Sequence, residues 1–405
     1  MSARASLADP ARDGGTGLSR GLTLVLAASA GLVVANLYYN QPLLDLVRAS
    51  FGATQRAVGW IATLTQLGYG AGMLLLVPLG DRYERRGLIV GMTFAVALAL
   101  VAVALAPTLE TLALASFVLG LTSMVPQLIV PFAAGMARPH ARGRVVGTVM
   151  SGLLMGILLS RTLSGIVGAH LGWRAMYAIA AAMMLALALA LRLALPRQEV
   201  EEKATFAALF RSLFTLVRDQ PVLRRHAALG ALTFACFSVF WTTLAFHLAT
   251  PPHHHGSEVV GAFGVIGVVG VLAAPLVGRY SDAYTPRVVN GAAVLVVLLS
   301  FVVLGAFGGS LLGIAAGVIL LDLGAQSNHI SNQTRIFGLD PARRNRLNTV
   351  YMTSYFGGGA LGSWLGALVW SRAGWTGVTL LGIALSVVAL VILAFAPRHD
   401  AAPRR

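Results

Sequence analysis

The sequence predicts an all-α integral membrane protein with twelve transmembrane helices in two parallel six-helix repeats. Hydrophobic residues make up 57% of the 405 positions and charged residues only 11%, whereas soluble domains have roughly 45–50% and about 25%. The chain also repeats itself, because matching residues recur 202 positions apart. The matching pairs are Pro139/Pro341, Arg144/Arg346, Met150/Met352, Gly156/Gly358 and Gly172-Trp173/Gly374-Trp375. Such a tandem repeat is typical of a transporter whose halves enclose a binding site.

The twelve apolar runs follow one another with mostly short polar gaps, and each is close to the 20 or so residues that a helix needs to cross a bilayer. In the first half they are predicted at residues 22–44, 57–79, 87–107, 111–136, 145–169 and 174–195. In the second half they are predicted at residues 226–249, 258–277, 288–308, 310–334, 347–370 and 376–396. The first run is longer than a signal-peptide core, so we expect a retained helix.

Polar segments divide the chain into domains. We expect an N-terminal six-helix bundle at 21–196, a linker at 197–222, a C-terminal bundle at 223–397, and tails at 1–20 and 398–405, the first of them disordered. In the linker, apolar residues recur at helical spacing, namely Phe206, Leu209, Phe210, Leu213, Phe214 and Val217. This pattern predicts an amphipathic helix that lies on the inner leaflet or packs on the protein.

Positive charge is distributed as membrane topology requires. With the amino terminus inside, 25 of the 30 Lys and Arg residues lie on the cytoplasmic side, and four face outward: Arg48, Arg56, Arg174 and Arg372. This bias orients membrane proteins, so both termini are predicted in the cytoplasm. The net charge of +15 therefore needs no nucleic-acid partner. The single cysteine, Cys236, excludes an intramolecular disulfide.

The loop after the second span has a recognisable sequence. Gly80-Asp81-Arg82-Tyr83-Glu84-Arg85-Arg86 resembles the signature loop of the major facilitator superfamily, and residues 278–287 look like its second copy. Residues 35–42 and 348–352 resemble a bacterial branch usually described as efflux transporters of drugs, sugars or metabolites. The resemblance covers nearly the whole chain. It implies a secondary transporter of the bacterial inner membrane, functional as a monomer and without a cofactor.

The two loop copies suggest a gate. Asp81 ends the second span and Asp282 the eighth, where a carboxylate can accept charge-assisted hydrogen bonds from a basic group or a helix N-terminus across the halves. We expect Asp81 to hold one conformation closed. For Arg82, Arg85 and Arg86, an equal alternative is that they anchor the loop among anionic lipid headgroups.

Two ionisable residues are predicted inside the bilayer, Arg161 in the fifth span and Asp322 in the tenth. A charge at that depth costs roughly 2.5–3.5 kcal/mol on insertion scales, so such residues are functional candidates. In the architecture that the resemblance implies, the tenth span lines the central cavity and the fifth lies between the halves. An ion pair between Arg161 and Asp322 is therefore a hypothesis, with Asp322 as the proton carrier and His329 as a second proton candidate.

A polar stripe continues from Asp322 along one face of the tenth span, through Gln326, His329 and Gln333. We interpret it as a cavity wall, although polar residues also join neighbouring membrane helices. Further candidates for the wall are Asn36, Tyr38, Tyr39, Asn40, Gln41, Ser123, Gln127, Tyr351 and Tyr355, with Trp241, Thr242, Thr243 and His247 as weaker ones. The tyrosines fit an interfacial aromatic belt equally well.

Two conspicuous motifs have simpler interpretations. The run His253-His254-His255 fits an outward loop better than a metal site. Gly357-Gly358-Gly359, Gly152 and Gly156 lie inside spans without a preceding strand, so they indicate close helix packing and not phosphate binding.

The predicted function is proton-coupled efflux of a small organic molecule by alternating access between inward-open and outward-open states. Proton symport or uniport for uptake is the alternative, with Asp322 binding the substrate in place of a proton. A non-transporting membrane sensor on the same scaffold is the alternative from another class. The sequence has no Walker-type loop and no nucleophile paired with a base, so neither an ATP-driven pump nor an enzyme is expected.

Overall fold

The computed structural model describes residues 18–197, 206–272, 286–340 and 343–395, and within these ranges every regular element is helical. Asp282 and nearly all of the two predicted tails lie outside the described residues, as does the end of the predicted eighth span. The positions of the helices otherwise follow the predicted spans closely. We number the helices α1 to α14 in chain order.

Eight α-helices form the first half. They are α1 (Arg20–Ala35), α2 (Asn40–Phe51), α3 (Gln55–Leu75), α4 (Arg85–Leu105), α5 (Leu109–Thr122), α6 (Pro126–Met136), α7 (Arg142–Leu171) and α8 (Trp173–Ala194), with short 3-10 turns at Val77–Asp81 and Pro139–Ala141. Helices α1 and α2 together form the first span, and α5 and α6 together form the fourth.

The spans predicted at 22–44 and 111–136 are present, but each is interrupted by a short turn that the prediction did not include. A proline lies just beyond each break and explains it. Pro42 has no N–H to donate to the carbonyl of Tyr38, and Pro126 cannot donate to that of Thr122, so the hydrogen-bond ladder is interrupted at both places. Both broken segments are buried, and both line the centre of the molecule.

Six helices follow in the linker and the second half. They are α9 (Phe206–Asp219), α10 (Pro221–Ala249), α11 (Ser257–Leu272), α12 (Pro286–Phe307), α13 (Leu311–Phe337) and α14 (Arg344–Ala394). Helix α14 contains the eleventh and twelfth spans, which turn at Gly374, where φ is 58° and ψ is −149°. Its repeat partner Gly172 has φ 82° between α7 and α8. Both turns need a positive φ that glycine adopts without strain.

The amphipathic linker helix α9 packs on the protein through one face. Leu213 and Leu216 are 6% and 3% exposed, whereas Phe214 on the other face is 73% exposed. Leu213 also reaches the wall of the central cavity. The linker is thus in contact with the interior of the transmembrane bundle.

The two halves pack their helices in the same way, with glycines at the closest contacts. A Cβ on Gly156 in α7 would overlap the backbone of Gly31 in α1, and a Cβ on its repeat partner Gly358 would overlap the backbone of Ala231 in α10. The predicted packing role is confirmed for both glycines. Gly357, by contrast, has open space where a Cβ would lie.

Candidate functional site

A cavity of about 940 Å³ lies between the two halves. Tyr38, Tyr69 and Gln127 line it from the first half, and His329 and Tyr355 from the second. At one end it reaches helix termini that carry four arginines, Arg85, Arg142, Arg344 and Arg346. The last three are exposed, so the cavity opens to the surface at this end, which we call the arginine end.

The opposite end is sealed by direct contacts between α7 and α11. Thr162 Oγ1 donates to the carbonyl of Gly261 at 3.0 Å, and Ser257 Oγ donates to the carbonyl of Gly165 at 2.9 Å. A Cβ on Gly165 would overlap the Ser257 backbone, so the two helices approach more closely here than larger residues allow. We call these contacts the seal.

Arg161 in α7 lies just behind the blind end of the cavity and is only 1% exposed. Its Nε donates to Gln41 Oε1 at 2.6 Å. Its Cζ lies 4.0 Å from the ring centroid of Trp241, 4.9 Å from that of Tyr38 and 5.3 Å from that of Phe237. Three aromatic rings therefore stabilise the guanidinium through cation–π contacts, in the absence of a directly paired carboxylate among the described residues.

Asp322 in α13 is 3% exposed and lies within electrostatic range of Arg161. The hypothesised ion pair is not formed in this conformation, since among the described residues no carboxylate oxygen comes within 4.0 Å of the Arg161 guanidinium. The Trp241 indole lies beside the carboxyl, but its N–H does not reach hydrogen-bond geometry. Oδ2 of Asp322 occupies the place of a Cβ on Gly267 of α11, so this glycine makes room for the carboxyl.

Several buried donors of the described residues lack an acceptor, and two of them, Arg161 Nη2 and Trp241 Nε1, lie beside Asp322. Buried polar groups are nearly always hydrogen-bonded, so each exception needs an explanation. Both orphan donors belong to side chains in mutual contact next to Asp322. The arrangement can accept one more hydrogen-bonding group.

The predicted polar stripe of α13 does lie along the cavity. Gln326, His329 and Gln333 line it, while Asp322, one turn deeper, does not. The His329 ring hydrogen-bonds through Nδ1 with the Tyr351 hydroxyl at 3.0 Å and lies 4.7 Å from the Tyr355 ring.

The other predicted wall residues divide into two groups. Tyr38, Gln127 and Tyr355 line the cavity, and Gln127 Nε2 donates to the Tyr69 hydroxyl at 3.3 Å. Buried between helices and off the cavity wall are Asn36, Tyr39, Asn40, Gln41, Ser123, Tyr351, Trp241, Thr242, Thr243 and His247. Of these, Asn40 donates to Thr65 Oγ1 at 3.2 Å and so joins α2 to α3, whereas Ser123 donates to the carbonyl of Leu119 in its own helix at 2.6 Å.

The first signature loop forms a 3-10 turn that ends at Asp81, whose side chain lies outside the described part of the structure. Glu84 caps α4, because its carboxylate accepts from the N–H groups of Arg86 and Gly87 at 2.9 and 2.7 Å. Arg85 Nε donates to the carbonyl of Gly80 at 3.3 Å and lines the cavity, whereas Arg82 is exposed and lies over the Tyr83 ring. Arg85 is thus the arginine of this loop that the cavity reaches.

Sequence reasoning missed a buried network on a neighbouring face of α13. His226 Nδ1 lies 2.7 Å from Asn332 Oδ1, which also accepts from Asn290 at 3.1 Å, and Asn328 donates to Asn290 Oδ1 at 3.2 Å. The i, i+4 spacing of Asn328 and Asn332 was the available signal. These groups satisfy one another, so they hold α10, α12 and α13 together.

The histidines near the sealed end are also accounted for by local contacts. His247 and His253 each hydrogen-bond through Nε2 with the carbonyl of Gly308 at 2.9 Å, and the His247 ring stacks on Trp375 at 3.9 Å. Within the described residues, no group of three or more His, Cys, Asp or Glu side chains could hold a metal ion.

Comparison with known proteins places this arrangement among transporters. A sequence model described as Major Facilitator Superfamily matches residues 26–339. The uncharacterized transporter YgaY of Escherichia coli O157:H7 is 42% identical over 375 residues, which cover 93% of this chain and 95% of that protein. The Streptomyces coelicolor protein named "Probable transporter SCO4007" is 32% identical over 373 residues, 91% of this chain and 86% of that protein.

Solved structures share the fold. The nucleoside transporter NupG aligns with a TM-score of 0.73 at 16% identity, over 92% of this chain and 99% of that chain. A D-xylose-proton symporter aligns with a TM-score of 0.70 at 14% identity, over 93% and 97%. These two proteins carry different substrates on one fold, so the substrate of this chain has to be inferred from its own residues.

Proposed function

Because the chain belongs to the major facilitator superfamily, we propose that it is a proton-coupled secondary transporter that moves a small organic molecule through the central cavity by alternating access. It is a multi-pass membrane protein with twelve predicted spans. The positive-inside bias supports a bacterial inner-membrane location with both termini in the cytoplasm. On that orientation the arginine end faces the cytoplasm, and the structure is an inward-open state.

The observation that carries the proton coupling is the environment of Asp322. Its carboxyl is buried among membrane helices, one turn beyond the cavity wall, beside a guanidinium with which it makes no direct ion pair. A lone ionised carboxylate is costly at such a position, whereas a protonated one is tolerated. Gain and loss of a proton therefore change the stability of the helix arrangement around Asp322, which is what coupling requires.

We propose antiport as the first candidate for the exchange, with the substrate leaving as protons enter. The branch of the family that residues 35–42 resemble supports this direction. A specific observation favours proton symport as the second candidate: of the described residues that line the cavity, four are arginines and none is Asp or Glu. A cavity with this positive charge attracts anions. Symport with a proton offsets the negative charge of such a substrate, whereas antiport does not.

A single chain encloses the cavity between its halves, so we propose that the monomer is the transporting unit. The gating role proposed for Asp81, with Asp282 in the second loop, belongs to the opening and closing of the arginine end. Arg85 lines the cavity near its mouth and is the loop residue best placed to take part.

The test is a pH-jump experiment in proteoliposomes that contain a proton-sensitive dye, with a panel of drugs, sugars, amino acids and carboxylates. Wild type is compared with Asp322→Asn, which keeps the size of the side chain and removes the titratable group. The matched control is Asp340→Asn, at a partly exposed aspartate beyond the end of α13 that pairs with Arg343 at 3.3 Å.

We expect a panel member to trigger proton flux in wild type and in Asp340→Asn, and the flux to fall to that of empty liposomes in Asp322→Asn. The sign of the pH change distinguishes antiport from symport. Substrate flux without any proton movement in all three proteins would contradict proton coupling, and specific binding without flux would favour the sensor.

A further inference from the structure

The polar environment of Arg161 identifies a site that the proposed transport function does not by itself explain. The side chain is 1% exposed, yet only Nε has an acceptor, Gln41 Oε1, and Nη2 has none. The fully buried Trp241, whose ring lies 4.0 Å from the guanidinium, has an equally unpaired N–H. A cation donor and an indole donor at one buried position fit a single anionic acceptor.

The charge of the cavity agrees with that acceptor. Arg142 and Arg344, which are repeat partners, stand at its mouth and donate to the backbone carbonyls of Ala134 and Phe337. Among the described residues, no carboxylate forms an ion pair with either guanidinium. Arg346 adds a further positive charge, and of the described residues lining the cavity none is acidic. Topology explains positive charge at this end, but it does not explain the buried guanidinium at the blind end.

The rest of the wall indicates the body of the ligand. Most of the lining is aliphatic or aromatic, including Tyr69, Phe234 and Phe356, and Phe234 stacks on Tyr355 at 4.0 Å. The polar groups are few and lie mainly on the stripe of α13. A ligand that fits this cavity has an apolar or aromatic body and a small number of polar groups.

Two aromatic side chains separate the cavity from Arg161. Tyr38 and Phe237 both line the cavity, whereas Arg161 does not, and the guanidinium carbon lies 4.9 and 5.3 Å from their ring centroids. Rotation of these two rings would connect the blind end of the cavity with the unpaired donors.

We propose that Arg161, together with the indole N–H of Trp241, binds a carboxylate of the transported molecule, and that the substrate is a small organic anion with an apolar body. Asp322 lies beside both donors, so its negative charge opposes the anion, and a proton on Asp322 removes that opposition. Anion and proton then bind together. The proposal rests on the proposed transport function, whose coupling it would resolve in favour of symport.

The experiment measures binding to the purified full-length protein in detergent by isothermal titration calorimetry. The probes are phenylacetate, phenylacetamide and 2-phenylethylamine, with the corresponding naphthalene set to sample a larger body. We expect at least one carboxylate to bind about tenfold more tightly than its amide, because a charge-assisted hydrogen bond is stronger than a neutral one by about the energy of a tenfold change in Kd. The amines should bind more weakly than the amides.

Four variants test the assignment to the site. Arg161→Gln and Trp241→Phe, each removing a donor, should reduce or abolish the preference for the carboxylate over the amide. Asp322→Asn should tighten carboxylate binding severalfold, because the opposing charge is gone. The control Arg174→Gln should change nothing, although Arg174 also lies over a tryptophan ring, that of Trp173 at 4.2 Å, and donates to the backbone.

The proposal is overturned if amides or amines bind as tightly as the carboxylates, if neither set binds, or if Trp241→Phe and Asp322→Asn leave the preference unchanged. The last two variants keep the test decisive should Arg161→Gln fail to fold. Failure of the transport function gives a different result. Carboxylate binding without flux in proteoliposomes would refute transport and support the anion site. Asp322-dependent flux of an amine would support transport and refute the anion site.

Discussion

The packing of α14 on α10 makes a sharp prediction about two adjacent glycines. A methyl group at Gly358 would overlap the backbone of Ala231, and backbone atoms cannot rotate away as a side chain can. Overpacking costs about 1–3 kcal/mol, and we expect Gly358→Ala near the upper end of that range. At Gly357 the same methyl group meets open space, so Gly357→Ala should be neutral or stabilise the helix by up to about 1 kcal/mol.

The chain offers its own reporter for this comparison. Cys236, the only cysteine, is 1% exposed in α10, with its sulfur 3.7 Å from both Gly382 O and Ser386 Oγ. A thiol-reactive fluorescent dye therefore reacts only when the protein unfolds, and its signal against temperature gives a melting curve. We expect Gly358→Ala to melt well below wild type and Gly357→Ala at or above it. The free energies of unfolding of the two variants should differ by about 2–4 kcal/mol. Equal melting temperatures would refute the packing described for α10 and α14.

Two further predictions concern Arg161 and the seal. Gln41→Leu leaves Arg161 Nε without an acceptor and should destabilise the protein by about 1.5–3 kcal/mol in the same thiol assay, whereas Gln41→Glu restores an acceptor and should not; equal effects would contradict the contact. In a Cys236→Ser background, Gly168→Cys with Ser257→Cys should crosslink on oxidation, because Ser257 Oγ lies 3.4 Å from the position of a Cβ on Gly168. The crosslink should stop transport until a reductant is added, and transport that continues in the fully crosslinked protein would exclude alternating access at the seal.

The sequence was sufficient for the architecture because a bilayer imposes the same length on every helix. Hydropathy located the spans that the described residues show, and the repeat at 202 residues related Gly156 to Gly358, which occupy equivalent contacts. Hydropathy did not locate the breaks near Pro42 and Pro126. A hydropathy profile reports the length and apolar character of a run, and it is insensitive to a local loss of backbone hydrogen bonds. The missing N–H of each proline was visible in the sequence, and its weight was underestimated.

The candidate site was less accessible to sequence reasoning. Membrane depth identified Arg161 and Asp322, and periodicity identified the stripe from Gln326 to Gln333. Neither could tell that Arg161 would take Gln41, 120 residues away, as its acceptor, since that choice depends on the rotation of two helices about their axes. Periodicity likewise did not decide which polar face of α13 lines the cavity, because Asn328 and Asn332 form an equally regular row on the packed side.

The seal between α7 and α11 has a consequence for turnover. Its two hydroxyl-to-carbonyl hydrogen bonds, from Thr162 and Ser257, can be exchanged one for one with water, so breaking each costs about 0.5–1.5 kcal/mol net. The polar part of the seal therefore holds the closed end with an energy comparable to the few kcal/mol that separate interconverting conformations. A seal of buried ion pairs would have required charged groups to be separated at each cycle. Because its contacts come from glycines and hydroxyls, this end can open without the separation of buried charges, as the proposed alternating access requires.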